Sequence, residues 1–259
     1  MAKGKSCNDR KLLNFNSREA FGHNQISLDI PLINEHGYQV IRRYGTDIVR
    51  FEQDLSDLSK GKLFYSERIG SICHRYRVLP GSKNFSEQLN CGGYHTDFMF
   101  QPNPPAFIAM LCLEPDPKYP FYGRNQVVSL GKFIEKVQDL SGISEEDLRK
   151  QKLHYSLPGH GEYSQSLLDS LGGKIIFRFH ELLIDQRFCE SELLPKENFI
   201  KFLHSVFMDV SEDICLDRGD ILIVSNHHAL HRRSECSISY MGSTSQIKSR
   251  EMASIRFNL

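Results

Sequence analysis

Two stretches of the sequence carry side chains that can ligate a metal. Residues 91–100 read CGGYHTDFMF, in which His95 and Asp97 are two positions apart, so both would project from the same side of a strand. Taken alone, an HxD pair is also compatible with ordinary turn chemistry. Residues 219–233 read GDILIVSNHHALHRR, in which an apolar strand leads into a cluster of histidines. Because two histidines and a carboxylate can occupy one face of an octahedral iron(II) ion and leave its other positions open, the two stretches together predict such a site.

The elements that must position these residues predict a mixed fold. Residues 107–113, FIAMLCL, form a continuous apolar run between prolines, which is typical of a buried strand. Residues 197–210, ENFIKFLHSVFMDV, show the apolar spacing of a helix, and residues 250–257 alternate as a strand with Arg250 and Arg256 on one face. Strands interrupted by turns, with helices near the front and in the insertions, favour an α+β chain with a β-sandwich or barrel at its centre.

Composition indicates an ordinary globular protein. The chain of 259 residues is 40% hydrophobic and 25% charged, and without an internal repeat or a boundary we expect residues 1–259 to form one domain. Lys plus Arg equals Asp plus Glu at 32 each, which gives no indication of a nucleic-acid or membrane partner. Seven cysteines without a CxxC pair predict neither a disulfide framework nor a zinc knuckle and favour a cytoplasmic location.

No apolar run approaches the roughly 20 residues that cross a bilayer, and the basic N-terminus is not followed by the apolar core of a signal peptide. We therefore expect a protein that is neither secreted nor inserted in a membrane.

The metal-ligating stretches lie within a wider resemblance. From about Gly92 to the C-terminus, the chain resembles the iron(II)- and 2-oxoglutarate-dependent oxygenases of the taurine dioxygenase and clavaminate synthase type. The segments that carry the resemblance are YHTDF at 94–98, YGRNQVVS at 122–129, GDILIVSNHHALHRR at 219–233 and REMASIRF at 250–257. It implies a double-stranded β-helix (jelly-roll) core with flanking helices, and a site for Fe(II), 2-oxoglutarate as co-substrate and O2.

The resemblance assigns the metal ligands, which are also the catalytic residues, to His95, Asp97 and His231. His231 is the distal ligand because it follows Asn226 at the interval seen in the family. His227 and His228 then fall where the family places a turn, so we expect them to flank the site.

The resemblance also implies a site for the far carboxylate of 2-oxoglutarate on the last strand. Arg250 is the first choice for this role and Arg256 the second, since a planar guanidinium suits bidentate binding of a carboxylate. The interval between these two arginines is longer than the four-residue interval common in the family. Asn125 occupies the place of a family threonine that donates to 2-oxoglutarate, and its amide can still donate a hydrogen bond.

Substrate contacts are predicted from charge and position. Arg233 matches the arginine of the family's HGR motif and could orient a nearby loop or bind a substrate carboxylate; Arg256 is a second candidate for the substrate. Phe98 adjoins the HxD motif and could line a pocket or belong to the core, and residues 154–173 could form a lid or a surface connection.

Three functions stay open at this point. The first is hydroxylation, or another oxidation, of a small polar metabolite such as an amino acid; the second is the same chemistry on a peptidyl or carrier-bound substrate; the third is a non-enzymatic jelly-roll binding protein. Related halogenases lack the carboxylate ligand, so the presence of Asp97 favours oxygen transfer over halogen transfer.

Overall fold

The computed structural model describes residues 25–67, 70–157, 161–184, 196–240, 242 and 246–259. The helices are α1 (Ile30–His36), α2 (Ile48–Leu58), α3 (Leu130–Ser141), α4 (Glu145–Lys150) and α5 (Lys196–Val210). The strands are β1 (Tyr38–Ile41), β2 (His74–Arg77), β3 (Phe107–Glu114), β4 (Asn125–Ser129), β5 (Lys152–Leu157), β6 (Gly161–Ser166), β7 (Leu168–Leu171), β8 (Lys174–Phe177), β9 (Glu212–Ile214), β10 (Ile221–Ser225), β11 (Ala229–Arg233), β12 (Ile238–Tyr240), β13 (Ile247–Ser249) and β14 (Glu251–Phe257).

Two antiparallel sheets form the centre of the fold. The larger sheet has the strand order β1-β10-β3-β14-β2, and the smaller one has the order β11-β4-β9. One buried cluster joins their facing sides, since it contains Met110 of β3, Leu222 of β10 and Met252 of β14 together with Val127 of β4 and Ala229 of β11. The two sheets therefore pack as a sandwich with this cluster between them.

Helices cover the outer face of each sheet. Phe51 and Leu55 of α2 pack with Ile223 of β10 and Ile255 of β14 on the outside of the larger sheet. A separate cluster covers the smaller sheet, and it includes Val128 of β4, Leu230 of β11, Phe133 and Val137 of α3, and Leu203 and Phe207 of α5. Alternation along each strand thus sends one set of side chains to a helix layer and the other set to the space between the sheets.

Two extended segments lengthen the smaller sheet beyond β11. His95 and His231 exchange two backbone hydrogen bonds of 3.0 Å, so residues 94–96 lie beside β11. The amide of Thr96 then donates to the carbonyl of Phe179, and the amide of Glu181 donates to that of Tyr94, which places residues 179–181 at the outer edge. The HxD stretch is therefore held between two extended neighbours.

The GD pair of the second stretch shapes the turn before β10. Gly219 has a φ of +85°, in the left-handed region that favours glycine, and an added Cβ would lie 3.0 Å from the amide nitrogen of Gly45. Asp220 is buried, and its carboxylate accepts hydrogen bonds from the backbone amides of Arg43 and Asp217 and from the side chain of Arg42. The motif therefore fixes the start of the strand that leads to the histidines.

The sequence predictions for this fold are confirmed in their main features. The structure is mixed helix and strand with antiparallel sheets, and the predicted elements at 107–113, 197–210 and 250–257 correspond to β3, α5 and β14. Residues 154–173 were predicted to form a lid or a surface connection, and most of them form strands of two hairpins, with residues 158–160 outside the described ranges.

The described cysteines, Cys73, Cys91, Cys112, Cys215 and Cys236, are free thiols. Among the described residues, the helices are either too short or too polar to cross a bilayer. The cytoplasmic location stays a prediction.

Candidate metal centre

The fold brings His95, Asp97 and His231 to one point between the sheets. His95 and His231 are direct cross-strand partners and project from the same face of the smaller sheet, with ring centroids 4.3 Å apart. Asp97 Oδ1 lies 3.4 Å from His95 Nε2 and 3.7 Å from His231 Nε2. One ligand atom from each residue falls within 4.8 Å of the other two. Nitrogen and oxygen donors in this arrangement fit one face of a hexacoordinate divalent metal.

The tautomer of His95 suits a metal ligand. Its Nδ1 lies 2.9 Å from the carbonyl oxygen of Gly93, so Nδ1 carries the proton and Nε2 offers its lone pair to the interior. His231 Nδ1 is buried without a hydrogen-bond partner among the described residues, and only 10% of this side chain is exposed. Both rings are held by their backbones in adjacent extended segments, so the geometry of the pair is set before any metal binds.

Asn226 holds the backbone of Asp97. Its Oδ1 accepts from the amide of Asp97 at 2.7 Å, and its Nδ2 donates to the carbonyls of Asp97 and Pro105, each at 2.9 Å. Asn226 is 1% exposed and begins the turn between β10 and β11. Asn226, from which the position of His231 was counted in the sequence, therefore connects the two candidate metal-ligating stretches by hydrogen bonds.

Arg256 contacts the carboxylate of Asp97 from the opposite sheet. Its Nε donates to Asp97 Oδ2 at 2.7 Å, and its Nη1 donates to Ser254 Oγ at 3.0 Å. Oδ2 thus faces the guanidinium while Oδ1 faces the two imidazoles. Arg256 was predicted to bind the co-substrate or the substrate; in the structure it contacts Asp97, a candidate metal ligand.

Electrostatics at the centre follow from burial and from these contacts. Burial acts to raise the pKa of Asp97, but Arg256, His95 and His231 outweigh it and hold this pKa well below its ordinary value. Burial acts to lower the pKa of His95, but the Asp97 carboxylate beside Nε2 outweighs it and raises this pKa, so a bound metal would replace the second proton that Nε2 can take. Burial and the neighbouring His95 lower the pKa of His231 to about 3. The carboxylate is therefore ionised and His231 is neutral at neutral pH, as metal ligands require.

A third histidine, which sequence reasoning did not identify, lies beside the pair. His180 is the cross-strand partner of His95 on the outer extended segment, and the two ring centroids are 5.0 Å apart. Its Nδ1 is buried without a partner among the described residues, and burial lowers its pKa to about 3. His231, His95 and His180 form a row across three neighbouring extended segments. The pairing that creates this row joins residues far apart in sequence. The sequence shows only a single histidine in a largely apolar run, which does not predict this pairing.

Arg250 and Asn125 form a separate polar pair between the sheets. Arg250 Nη2 donates to Asn125 Oδ1 at 2.8 Å, and the two residues are 3% and 5% exposed. Asn125 lies on β4, directly opposite Arg233 of β11. Gly123 makes room for this pair, because an added Cβ would lie 3.1 Å from Arg250 Cδ. Its φ of +68° lies in the left-handed region that favours glycine. The two residues predicted to hold 2-oxoglutarate are thus in direct contact.

The guanidinium of Arg233 is engaged by the protein itself. It donates to the carbonyls of Gln88, Asn90 and Ser234 and to the thiol of Cys236, at distances from 2.6 to 3.0 Å. Arg233 is 8% exposed. These contacts correspond to the loop-orienting alternative for Arg233.

The aromatic neighbour of the HxD motif and the two flanking histidines have other partners. Phe98 has a φ of +57°, so the chain turns sharply after Asp97, and its ring lies 5.3 Å from that of Phe64. His227 Nε2 lies 3.0 Å from the carbonyl oxygen of Pro104, and His228 Nδ1 lies 3.4 Å from Ser225 Oγ. Neither flanking histidine belongs to the described group of potential metal ligands.

Comparisons with known proteins identify the fold. No protein-family model matches the sequence, and no curated protein sequence matches it significantly. Among solved structures, an asparagine oxygenase in complex with Fe(II), 2S,3S-3-hydroxyasparagine and succinate superposes with a TM-score of 0.67 at 17% identity, over 88% of this chain and 77% of that chain. The non-heme iron oxygenase OrfP, in complex with Fe, succinate and (3R,4R)-dihydroxy-L-Arg, gives a TM-score of 0.62 at 18% identity over 88% and 77%.

A taurine dioxygenase from Burkholderia xenovorans gives a TM-score of 0.60 at 11% identity, over 90% of this chain and 83% of that chain. The chain therefore has the fold of non-heme iron oxygenases of the taurine dioxygenase type, and the resemblance seen in the sequence is confirmed at the level of the fold.

Proposed function

We propose that the protein is an iron(II)- and 2-oxoglutarate-dependent oxygenase. It would hydroxylate, or otherwise oxidise, an unactivated C–H bond of a small polar metabolite, with release of succinate and CO2. The observation that carries the proposal is the convergence of two imidazole nitrogens and one carboxylate oxygen on a point inside the sandwich. On the same proposal, the two facing sheets are the double-stranded β-helix of these enzymes.

The donor set fits Fe(II). Two neutral imidazoles and one carboxylate, all from one side, leave the remaining positions of an octahedron for co-substrate and oxygen. When bound, iron, 2-oxoglutarate and O2 supply the oxidising chemistry, so the chain's residues bind, orient and exclude water. His95 and His231 would hold the metal through Nε2, and Asp97 would hold it through Oδ1.

Arg250 and Asn125 would hold the far carboxylate of 2-oxoglutarate. The Arg250 guanidinium is buried between the sheets, and its hydrogen-bond partner among the described residues is a neutral amide, not a carboxylate. A buried cation paired only with a neutral group favours an anionic ligand, since its charge is otherwise uncompensated. The planar fork of arginine can bind a carboxylate with two parallel hydrogen bonds, and the Asn125 amide could donate a further one.

An amino acid or a derivative is the substrate class that we favour. Two of the superposed enzymes have hydroxylated amino acids in their complexes, 3-hydroxyasparagine in one and dihydroxyarginine in the other. The presence of Asp97 favours oxygen transfer over halogen transfer, because a halide on iron needs the position that the carboxylate occupies. A peptidyl or carrier-bound substrate is the alternative, and a substrate screen distinguishes the two.

The decisive experiment is anaerobic addition of Fe(II) and then 2-oxoglutarate to the metal-free protein. We expect a weak visible charge-transfer band, and succinate on admission of air, stimulated by the correct amino acid. Asp97→Ala should abolish both signals. His227→Ala is the matched control, since it removes a histidine of the stretch that contains His231 whose ring contacts a backbone carbonyl. A wild-type protein that gave neither the band nor succinate would refute the proposal.

A further inference from the structure

We propose that Arg256 is a positioning residue of the metal centre. It holds Oδ2 of Asp97 so that this carboxylate offers only Oδ1 to the metal. The inference rests on the proposed function, since it assigns a role within the same site. It differs from the two roles predicted from the sequence, which were binding of 2-oxoglutarate and binding of substrate.

The contact between the two side chains is short and largely shielded from solvent. Arg256 Nε lies 2.7 Å from Asp97 Oδ2, and the two side chains are 14% and 13% exposed. A hydrogen bond between two ionised groups is roughly twice as strong as a neutral one, and screening by water is weak where both partners are buried. The outer oxygen of Asp97 is therefore occupied before a metal arrives.

The geometry of this contact determines which carboxylate oxygen of Asp97 stays available to a metal. Oδ1 lies 3.4 and 3.7 Å from the Nε2 atoms of His95 and His231, whereas Oδ2 receives the guanidinium. A carboxylate with both oxygens free could chelate a metal through both and block a further coordination position. Oxygenase chemistry requires those positions for co-substrate and O2. Occupation of Oδ2 therefore favours binding through one oxygen.

Arg256 is itself held in place by its own strand. Its Nη1 donates to Ser254 Oγ at 3.0 Å, and Ser254 Oγ donates to the carbonyl of His74 on β2 at 3.4 Å. The side chain of Asp97 is thus fixed from the larger sheet, while its backbone is fixed by Asn226. Two independent supports give the carboxylate a single orientation.

The two arginines of the last strand consequently have different partners. Arg250 contacts a neutral amide on β4, and Arg256 contacts an ionised metal-ligating side chain. Of these two arginines, Arg250 is the one without an anionic partner among the described residues. Loss of Arg256 should reduce metal binding, and loss of Arg250 should reduce 2-oxoglutarate binding.

The test measures binding of Co(II) to the metal-free protein under anaerobic conditions, without co-substrate or substrate. Because outer hydrogen bonds to metal ligands are worth about 10–100-fold in affinity, Arg256→Met should raise the Kd for Co(II) by that factor and change its visible spectrum. Arg256→Lys should recover part of the affinity. In the metal-saturated Arg256→Met protein, the Kd for 2-oxoglutarate should stay within about threefold of the wild-type value, which is well below the effect of losing a charged hydrogen bond.

Arg250→Met is the matched control, since it removes the other buried arginine of the strand. It should keep the wild-type Kd and spectrum with Co(II). The proposal is overturned if Arg256→Met binds Co(II) as the wild type does, or if it loses affinity for 2-oxoglutarate alone.

Should Arg256→Met fail to fold, Ser254→Ala provides the second variant. It keeps the guanidinium but removes one of its contacts, so a smaller rise in the Co(II) Kd is expected and an unchanged Kd overturns the proposal. Failure of the wild-type protein to bind Co(II) would instead refute the proposed function, so the two failures are distinguishable.

Discussion

Replacement of Asn226 by alanine should destabilise the protein and weaken the metal centre together. The side chain makes three hydrogen bonds to the backbone, two with Asp97 and one with Pro105, and it is almost fully buried. In Asn226→Ala, one amide and two carbonyls lose their partners. A buried polar group left unpaired costs about 1–3 kcal/mol, and relaxation or an entering water recovers part of the sum. We expect the free energy of unfolding to fall by roughly 2–5 kcal/mol, the range of the larger point-mutation effects.

The effect on metal binding has a separate cause. Asn226 fixes the backbone of Asp97 relative to the turn that leads to His231, so its loss lets two of the three ligands move independently. We expect the Kd for Co(II) to rise at least tenfold, as is typical when an outer contact of a metal ligand is lost. Urea unfolding of the metal-free protein measures the first effect, and an anaerobic Co(II) titration measures the second.

Asn258→Ala is the matched control. Asn258 also accepts a hydrogen bond from a backbone amide, that of Ala106 at 2.8 Å, but it does not contact Asp97. We expect a loss of about 1 kcal/mol for this single bond and an unchanged Kd for Co(II). If Asn226→Ala has the same urea midpoint as Asn258→Ala and retains the wild-type Co(II) affinity, Asn226 does not have this role in stability and in the metal centre.

Three further predictions address the rest of the site. Arg250→Lys should raise the Kd for 2-oxoglutarate at least tenfold, measured calorimetrically with Mn(II), because an ammonium cannot replace a planar fork; an unchanged Kd would exclude Arg250 as its ligand. Arg233→Met should lower the free energy of unfolding by about 2–4 kcal/mol, since three carbonyls lose a charged donor; an effect confined to substrate KM would instead favour substrate binding. Burial and His95 lower the pKa of His180 to about 3, whereas the pKa of a histidine in the unfolded chain is about 6.5. As the pH falls, the unfolded state therefore binds this proton before the folded state does, and the free energy of unfolding falls below about pH 6.5. His180→Asn should make the urea midpoint depend less on pH between 7 and 5. An equally steep dependence in this variant would contradict the low pKa of His180.

The candidate metal ligands lie in two stretches whose sequence signals are local. A pair two residues apart needs only a strand to share a face, and His231 follows an apolar run whose length and composition predict a strand. The choice of His231 among the three later histidines came from the family resemblance, and the structure brings it together with His95 and Asp97. Strands β3 and β14 were likewise predictable, because continuous apolar runs and alternation are properties of a short window.

The features that the sequence did not reveal depend on distant pairing. His180 joins the histidine row only because residues 179–181 lie beside residues 94–96, and a single histidine in an apolar run carries no such information. For residues 154–173 the sequence predicted a lid or a surface connection but not the cross-strand pairing that makes most of them strands. Leu140 continues the apolar spacing of Phe133 and Val137 along α3 but is 57% exposed near the end of the helix.

The spacing of the two arginines on β14 explains why they have different partners. Met252, Ser254 and Arg256 alternate toward the space between the sheets, with Met252 in the cluster between them, and Arg250 also reaches across that space. With a rise of about 3.3 Å per residue, the Cα atoms of Arg250 and Arg256 are roughly 20 Å apart. A ligand of the size of 2-oxoglutarate that also binds the metal can extend toward only one of them. On the proposed function, Arg256 already contacts the candidate ligand Asp97, so the far carboxylate of 2-oxoglutarate would extend toward Arg250, and the longer interval between the arginines would separate support of the metal from binding of the co-substrate.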